Sequence, residues 1–355
     1  MKKKVGKKRS SSANSKKPIV TNDIRVANLT KSFGTLRAIS DVSFTIQPAS
    51  ITGFLGPNGS GKTTTMNILL GFIRPTFGIA KLNGHKMSPD STAARREIGF
   101  VASNTALDNN FTVWRELKYF ARLSGKKVKN DEIIYLANKL GVDLKAKIKK
   151  LSSGNRQKVA LLIALLGKPK ILILDEPTNG LDPLAVAEFK LILQDLRSSG
   201  TTIFISSHIL SDIEDICDNF LFIRDGRIVT HKSKAELLAL SPTIVTLDAD
   251  KVSDIVYAVK NAYGDKVKIE IPESGGLYLT VRSGNDINPL IKSLSKHKIS
   301  NLQIRPESLE TVFMLFFKPD SRNDDDEIAK AYQILVQGAE DLRKAKKATA
   351  KEAKK

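Results

Sequence analysis

The chain has 355 residues, with 57 lysines and arginines against 37 aspartates and glutamates, a formal net charge of +20 and 41% hydrophobic residues. Those proportions fit a soluble globular chain of about two domains with tails. No apolar run approaches the ~18 residues of a membrane span, and a single cysteine, Cys217, excludes an internal disulfide.

Residues 2 to 17 hold Lys2, Lys3, Lys4, Lys7, Lys8, Arg9, Lys16 and Lys17 with no acid, and a lysine cluster fills the last dozen residues. Such arms suit an anionic membrane surface, nucleic acid or plain solvation alike. Polar Ser10 to Ser15 stand where a signal peptide needs an apolar segment, so export is not expected. Residues 1–21 read as a low-complexity disordered tail. Structure is expected from near Asp23, where Ile24 to Val26 and Val42 to Ile46 alternate as half-buried strands around a turn at Gly34. This predicts an antiparallel β-subdomain at the front. Phe33, beside the turn, can stack on a purine face or serve as one more apolar residue under a hairpin.

A short apolar strand, Ser50 to Leu55, then runs into Gly56-Pro57-Asn58-Gly59-Ser60-Gly61-Lys62-Thr63, and a helix is expected from Thr63 to Leu70. The spacing G-x-x-x-x-G-K-[ST] between a strand and a helix is that of a phosphate-binding P-loop. Glycines let successive N–H groups turn inward on an anion. The helix that follows, opening through Thr64, adds free N–H groups and the positive end of its dipole. Lys62 would reach the β- and γ-phosphates, and the Thr63 hydroxyl would be an oxygen ligand for Mg²⁺.

Beyond a turn at Arg74 to Gly78 come short strands at Ile79 to Leu82 and Ile98 to Val101, separated by the Asn83-Gly84 turn. Helical spacing from Val113 to Leu123 and from Glu132 to Leu140, ended by Gly125 and Gly141, predicts an inserted helical lobe. Leu151-Ser152-Ser153-Gly154-Asn155 precedes an apolar helix from Val159 to Leu166. With Ser152 or Ser153 as N-cap, it reads either as a second anion site or as an ordinary capped helix. Ile171 to Leu174 is a continuous apolar run ending in Asp175-Glu176, the pattern of a buried parallel strand with acids at its C-terminal edge. Asp175 is placed to hold Mg²⁺ through its water shell and Glu176 to orient or deprotonate a water, with capping of the next element as the structural alternative. Asp182-Pro183 starts a helix as N-cap and N1. The strand Thr202 to Ser206 delivers His208, whose neutral imidazole could contact a γ-phosphate. Cys217, in helical spacing with Ile209, Ile213 and Ile216, reads as a buried apolar residue of an amphipathic helix.

These pieces, in this order, resemble the ATP-binding subunit of an ABC (ATP-binding-cassette) transporter, of the exporter type with a C-terminal extension. The resemblance covers about Ile24 to Leu240. It identifies Phe33 with the adenine-stacking aromatic, Gly56 to Thr63 with Walker A, and Ser152 and Gly154 with the signature motif that contacts ATP bound to the opposite subunit. Ile171 to Glu176 matches Walker B with its catalytic glutamate, Gly180-Leu181-Asp182 the D-loop, and His208 the switch histidine. It implies an ATP hydrolase that uses ATP and Mg²⁺, closes as a dimer with a second copy, and drives export through a separate membrane permease from the cytoplasmic face of the membrane. Two positions depart from the family pattern: Ala102-Ser103 stand where Gln or Glu is usual, and Ser153 and Asn155 replace Gly and Gln or Met in the signature.

After Pro242 the order β-α-β-β-α-β is that of a ferredoxin-like unit. Its strands are expected at Thr243 to Leu247, Val267 to Ile271, Leu277 to Val281 and Ile299 to Ile304, and its helices near Val252 to Lys260 and Ile287 to Leu294. Pro306 to Phe313 resembles the closing helix of exporter-type subunits. The expected organisation is therefore a basic tail over 1–21, a mixed α/β cassette over 22–240, a small α+β domain over 241–319, and an amphipathic helix with a basic tail over 320–355. That last helix carries a stripe at Ile328, Tyr332, Leu335, Ala339 and Leu342. The net charge raises the alternative of a ribosome- or nucleic-acid-associated ATPase, against which the single set of cassette motifs argues. Ser103 raises that of a regulatory cassette with weak turnover.

Overall fold

The computed structural model describes residues 22–102, 106–264, 267–271, 276–281 and 287–316. The basic tail at 1–21, Ser103 and the stripe from Ile328 to Leu342 lie outside them.

The chain opens as an antiparallel hairpin, β1 (Ile24–Phe33) and β2 (Leu36–Ile46), reversed at Gly34. β3 (Ile51–Leu55) leads into α1 (Lys62–Leu69). β4 (Phe77–Leu82) and β5 (His85–Lys86) are joined by Asn83-Gly84, both at positive φ, a turn whose twist matches that of the flanking strands. The first sheet is thus antiparallel, in the order β2-β1-β4-β5.

Next come α2 (Thr92–Arg95), β6 (Ile98–Val101), α3 (Val113–Leu123), α4 (Asn130–Lys139) and α5 (Ser153–Leu165). α5 starts six residues before Val159, because the Ser152 hydroxyl accepts the Asn155 N–H (3.3 Å) and nucleates its first turn on polar residues that apolar spacing does not register. β7 (Ile171–Leu174), α6 (Pro183–Ser198), β8 (Thr202–Ser207), β9 (Asn219–Arg224), β10 (Arg227–Ser233) and α7 (Lys234–Leu240) complete the cassette. The second sheet runs β10-β9-β3-β8-β7-β6, parallel from β9 to β6 and antiparallel at β10.

The continuous apolar runs follow from burial of this sheet on both faces. Leu172 and Leu174 of β7, Ile203 and Ile205 of β8, and Phe220 and Phe222 of β9 join the core with the helical lobe, α5 and α6. The alternate residues Ile171, Ile173, Phe204, Leu221 and Ile223 join the core with α1 and the antiparallel sheet. Strands buried on both faces need no polar alternation. Phe44, Phe54 and Phe204 bind the two sheets together, with ring centroids 5.0–6.2 Å apart.

The segment around Cys217 corrects one expectation. Ile209 to Cys217 forms a 3-10 turn at Leu210–Asp212 followed by further turns, not an amphipathic helix. Ile213, Ile216 and Cys217 are nevertheless buried, and burial pushes the Cys217 thiol pKa well up, so it stays protonated and inert.

The C-terminal region contains β11 (Thr243–Ala249), α8 (Val252–Tyr263), β12 (Val267–Glu270), β13 (Leu277–Val281), α9 (Asn288–Leu294) and β14 (Ile299–Pro306). Its antiparallel sheet has the order β12-β13-β11-β14 and its own apolar core of Val245, Leu247, Ile255, Val259, Leu279 and Leu290, among others. α10 (Leu309–Phe316) then returns to the cassette, where Leu309 and Val312 enter the core and the Phe313 ring lies 5.7 Å from Phe222.

Candidate functional site: the strand ends of the parallel sheet

β3, β8 and β7 are neighbours, so their C-terminal ends deliver the P-loop, Ser206 to His208, and Asp175-Glu176 to one edge of the sheet. The loop itself is held from outside. Ser60 O accepts the Gly226 N–H (3.1 Å), and Gly226 O in turn accepts the Ser40 N–H (2.8 Å), tying the loop to the β9–β10 turn and to β2. Gly61 has φ +104°, and a Cβ there would lie 2.6 Å from Ile39 Cγ2, so both conformation and space require glycine. Ser60 is buried, and its hydroxyl has no hydrogen-bond partner among the described residues. Asn58, Gly59 and Thr63 are exposed and Thr64 is half-buried, which leaves the mouth of the loop open.

Lys62 is buried to 6% exposure, with Nζ donating to the carbonyls of Gly56 (2.7 Å) and Pro57 (3.1 Å) and lying 3.5 Å from Glu176 Oε1. The other oxygen of Glu176 lies 2.8 Å from His208 Nδ1. Glu176 therefore sits between the P-loop lysine and the histidine. Its backbone is at φ +49°, a conformation costing a non-glycine residue about 1–3 kcal/mol. The Ser206 hydroxyl accepts the Glu176 N–H (2.9 Å) and donates to Asp175 Oδ1 (2.7 Å), while Asp175 Oδ2 accepts the Thr63 hydroxyl (2.8 Å). Threonine and aspartate oxygens placed side by side form the hard-oxygen donor set that suits Mg²⁺. A buried hydroxyl lacking a partner and a lysine facing backbone carbonyls fit a loop that takes phosphate oxygens.

Ser206 was not among the sequence candidates. Its signal is a polar residue closing the apolar run Ile203 to Ile205, on the strand that pairs with the one carrying two acids.

Phe33 ends β1 with 49% of its surface exposed, and Lys31 Nζ lies 4.9 Å above its ring. Half exposed, the ring is available for a flat partner.

Ser152, Gly154 and Asp182 form a second group. Their hydrogen bonds among the described residues do not reach the P-loop; Ser152 caps its own helix, and Gly154 meets the segment after Glu176 that ends in Asp182. A Cβ on Gly154 would fall 2.3 Å from the Gly180 carbonyl oxygen, so only glycine allows this approach. Asp182 caps α6 by accepting the Ala185 N–H (2.9 Å) and pairs with Lys158 Nζ (2.7 Å). The lysine first and the Ala185 amide second hold its carboxyl below the usual aspartate range.

Comparison with known proteins agrees with this geometry. A family model described as ABC transporter matches residues 39–179. The lantibiotic transport ATP-binding protein SrtF of Streptococcus pyogenes is 36% identical over 211 residues, covering 59% of this chain and 90% of that protein. The bacitracin transport ATP-binding protein BcrA of Bacillus licheniformis is 36% identical over 209 residues, covering 58% of this chain and 68% of that protein. A solved ATP-binding subunit of an ABC transporter shares 26% identity, with a TM-score of 0.56 over 60% of this chain and 91% of its own. Buried strand ends, P-loop, paired acids and relatives together place the chain in the family of ABC transporter ATP-binding subunits, which are ATP-hydrolysing cassettes.

Proposed function

We propose that this chain is the ATP-hydrolysing subunit of an exporter, working as a homodimer on the cytoplasmic face of a membrane beneath a separately encoded permease. The observation that carries the reading is the convergence of Lys62, Thr63, Asp175, Glu176 and His208 on one sheet edge. The names of SrtF and BcrA, transport proteins for peptide antibiotics, support export. Among the described residues no helix is long and apolar enough to cross a membrane, which fits a subunit that borrows its pathway from a partner.

In this reading the P-loop N–H groups and Lys62 bind the β- and γ-phosphates, the lysine exchanging backbone carbonyls for phosphate oxygens. Phe33 stacks on the adenine. Thr63 and Asp175 would hold Mg²⁺, which would supply positive charge against the phosphates. Glu176 accepts the proton of the attacking water, and His208, bonded to its far oxygen, fixes its direction and reaches the γ-phosphate. Ser152 and Gly154 complete the partner's site rather than their own, which accounts for their lack of contact with this chain's P-loop. The C-terminal unit is read as ferredoxin-like, supported by a strand order in which its first strand lies between its fourth and third. The basic runs at both ends suit anionic lipid at the same face.

Gel filtration of Glu176→Gln with Mg²⁺-ATP tests the reading. A shift from monomer to dimer is expected, and a protein that stays monomeric at saturating ATP would sink it. Co-purification of a multispanning membrane protein supports the permease, whereas ribosomes or nucleic acid would point to a different ATPase.

A further inference from the structure

β14 is the outer strand of the C-terminal sheet, and among the described residues no strand lies beyond it. Residues 300–306 are all exposed, and the aliphatic side chains of Leu302 and Ile304 keep 42% and 44% of their surface in solvent. The pairing with β11 fixes which backbone groups are left unused. The Glu307 N–H bonds the Pro242 carbonyl, and from there the register runs Pro306–Thr243, Arg305–Ile244, Ile304–Val245 and Gln303–Thr246. Opposed residues of an antiparallel pair alternate between bonded and unbonded. Counting from the bonded Glu307–Pro242 pair, Arg305 and Gln303 bond to β11, whereas the N–H and C=O of Ile304 and Leu302 point to the open edge. Beyond Leu302 the strand bulges, with Asn301 at φ +50° and one extra residue between Ser300 and Gln303. At the other end Pro306 has no N–H. A bulge and a proline protect sheet edges; here they bracket the stretch and leave its centre open.

We propose that this stretch is where two copies of the chain join, β14 against β14 and antiparallel, about a two-fold axis through Gln303. One register uses every free group: Leu302 faces the partner's Ile304 and Ile304 the partner's Leu302, each exchanging both backbone bonds. A shift of two residues either way leaves some groups unmet, because Ser300, paired with Asp248, turns its backbone to β11, and Pro306 lacks the N–H. The side chains agree with this register. Ile304 lies opposite Val245, a core residue, so Ile304 and Leu302 project on the face that carries the core, and pairing sets them against their symmetry mates. The strand contains no acid, and its single base, Arg305, stands about 13 Å along the strands from its mate, beyond the screening length of about 8 Å. A strand of another protein would need the same coincidence of spacing; a second copy has it by symmetry. The strip is short, so the contact is weak and leaves dilute protein monomeric without ATP. Two chains joined here present their cassettes to each other at high effective concentration, and ATP reassembles the same pair. That consequence, unlike the contact itself, rests on the dimer reading above.

Gln303→Cys tests the axis, since opposed residues of an unbonded antiparallel pair have Cα atoms about 4.5 Å apart, within reach of a disulfide. Cys217, buried and held protonated, gives no competing link. Full-length Gln303→Cys, without nucleotide and with a mild thiol oxidant, is expected to form a covalent dimer at least tenfold faster than Arg305→Cys, which is also exposed but off the axis. Ile304→Pro removes an N–H that the sheet does not use. In the Gln303→Cys background it is expected to slow linking about tenfold. Should Ile304→Pro lower the melting temperature, Leu302→Lys replaces it, setting charge on the apolar strip without touching the ladder to β11. The contact is overturned if Gln303→Cys stays monomeric, which would leave the edge to a strand of another protein. It is equally overturned if Arg305→Cys links as fast, or if neither edge variant slows the link. Links that form while ATP fails to assemble Glu176→Gln dimers would remove the dimer reading and leave the contact standing. Linked dimers should hydrolyse ATP at a rate per chain that does not fall on dilution; a fall like that of the unlinked protein would overturn the tethering.

Discussion

The parallel sheet of the cassette and the C-terminal sheet differ in what they bury. At the strand ends of the parallel sheet lie Lys62, Asp175, Ser206, Ser207 and Thr65, all nearly inaccessible. The core under the C-terminal sheet is made of valine, leucine and isoleucine, and among the described residues the polar side chain buried on that sheet is Thr280. Burying a charge costs several kcal/mol unless partners replace water. The cassette supplies them: Asp175 has two hydroxyls, and Glu176 has a lysine and a histidine. Evolution of a hydrophobic interior alone would never need such an arrangement. The described core of the C-terminal sheet is apolar packing.

The contrast is broken most severely at the polar end. Lys62→Ala should weaken ATP binding by roughly a hundredfold or more, since a charge-assisted phosphate contact is lost; isothermal calorimetry reads this. Glu176→Gln should retain binding yet reduce steady-state hydrolysis on the order of 10²–10⁴-fold, the usual contribution of a general base. Removing packing from the other region should do the reverse. Leu279→Ala, at a fully buried site, should destabilise the C-terminal unit by about 2–5 kcal/mol in denaturant unfolding and leave cassette affinity for ATP unchanged. If ATP affinity fell in step with that unfolding, the separation of roles would be wrong.

Smaller effects sharpen the comparison. Phe33→Ala should cost about 0.5–1.5 kcal/mol of ATP affinity and relax discrimination between purine and pyrimidine nucleotides. Equal affinities of both proteins for ATP would return Phe33 to a packing role. Glu116, in the helical lobe, is the instructive exception: it is 2% exposed, one oxygen accepts the Asp108 N–H, and the other has no partner among the described residues. Burial raises its pKa. The folded state therefore holds its proton to higher pH than the unfolded chain, and stability falls as pH rises through that interval. Glu116→Gln should gain in melting temperature relative to the natural protein as pH is raised above the ordinary carboxylate range, the smallest of these effects.

Much of this was legible beforehand because the informative residues are local. The P-loop spacing, the acids closing an apolar run and Asp182-Pro183 each state a strand end or a helix start within a few positions. The antiparallel front followed from the alternation at Ile24 to Val26 and Val42 to Ile46, and the mixed character of the cassette from the family resemblance. What spacing could not convey was contact across the fold. Nothing near Ser206 in the sequence indicates that one hydroxyl joins Asp175 to the Glu176 backbone, and nothing near Lys158 points to Asp182. The segment around Cys217 misled for a related reason: turns packed under β3 and β9 need buried residues at intervals resembling helical ones, and Gly53 leaves room for Ile213 and Cys217 side chains there.

The return of α10 to the cassette has a practical consequence. The Glu307 N–H bonds the Pro242 carbonyl (2.8 Å), and Thr243 pairs with Pro306, so the chain enters and leaves the C-terminal sheet at adjacent points. That unit is therefore plugged in like a cartridge, with both leads on one side. Its last lead is soldered to β9 through Phe313 and Phe222. Residues 243–306 should be replaceable by a short linker, or by another compact domain with neighbouring termini, while α10 keeps its seat and the cassette keeps its fold.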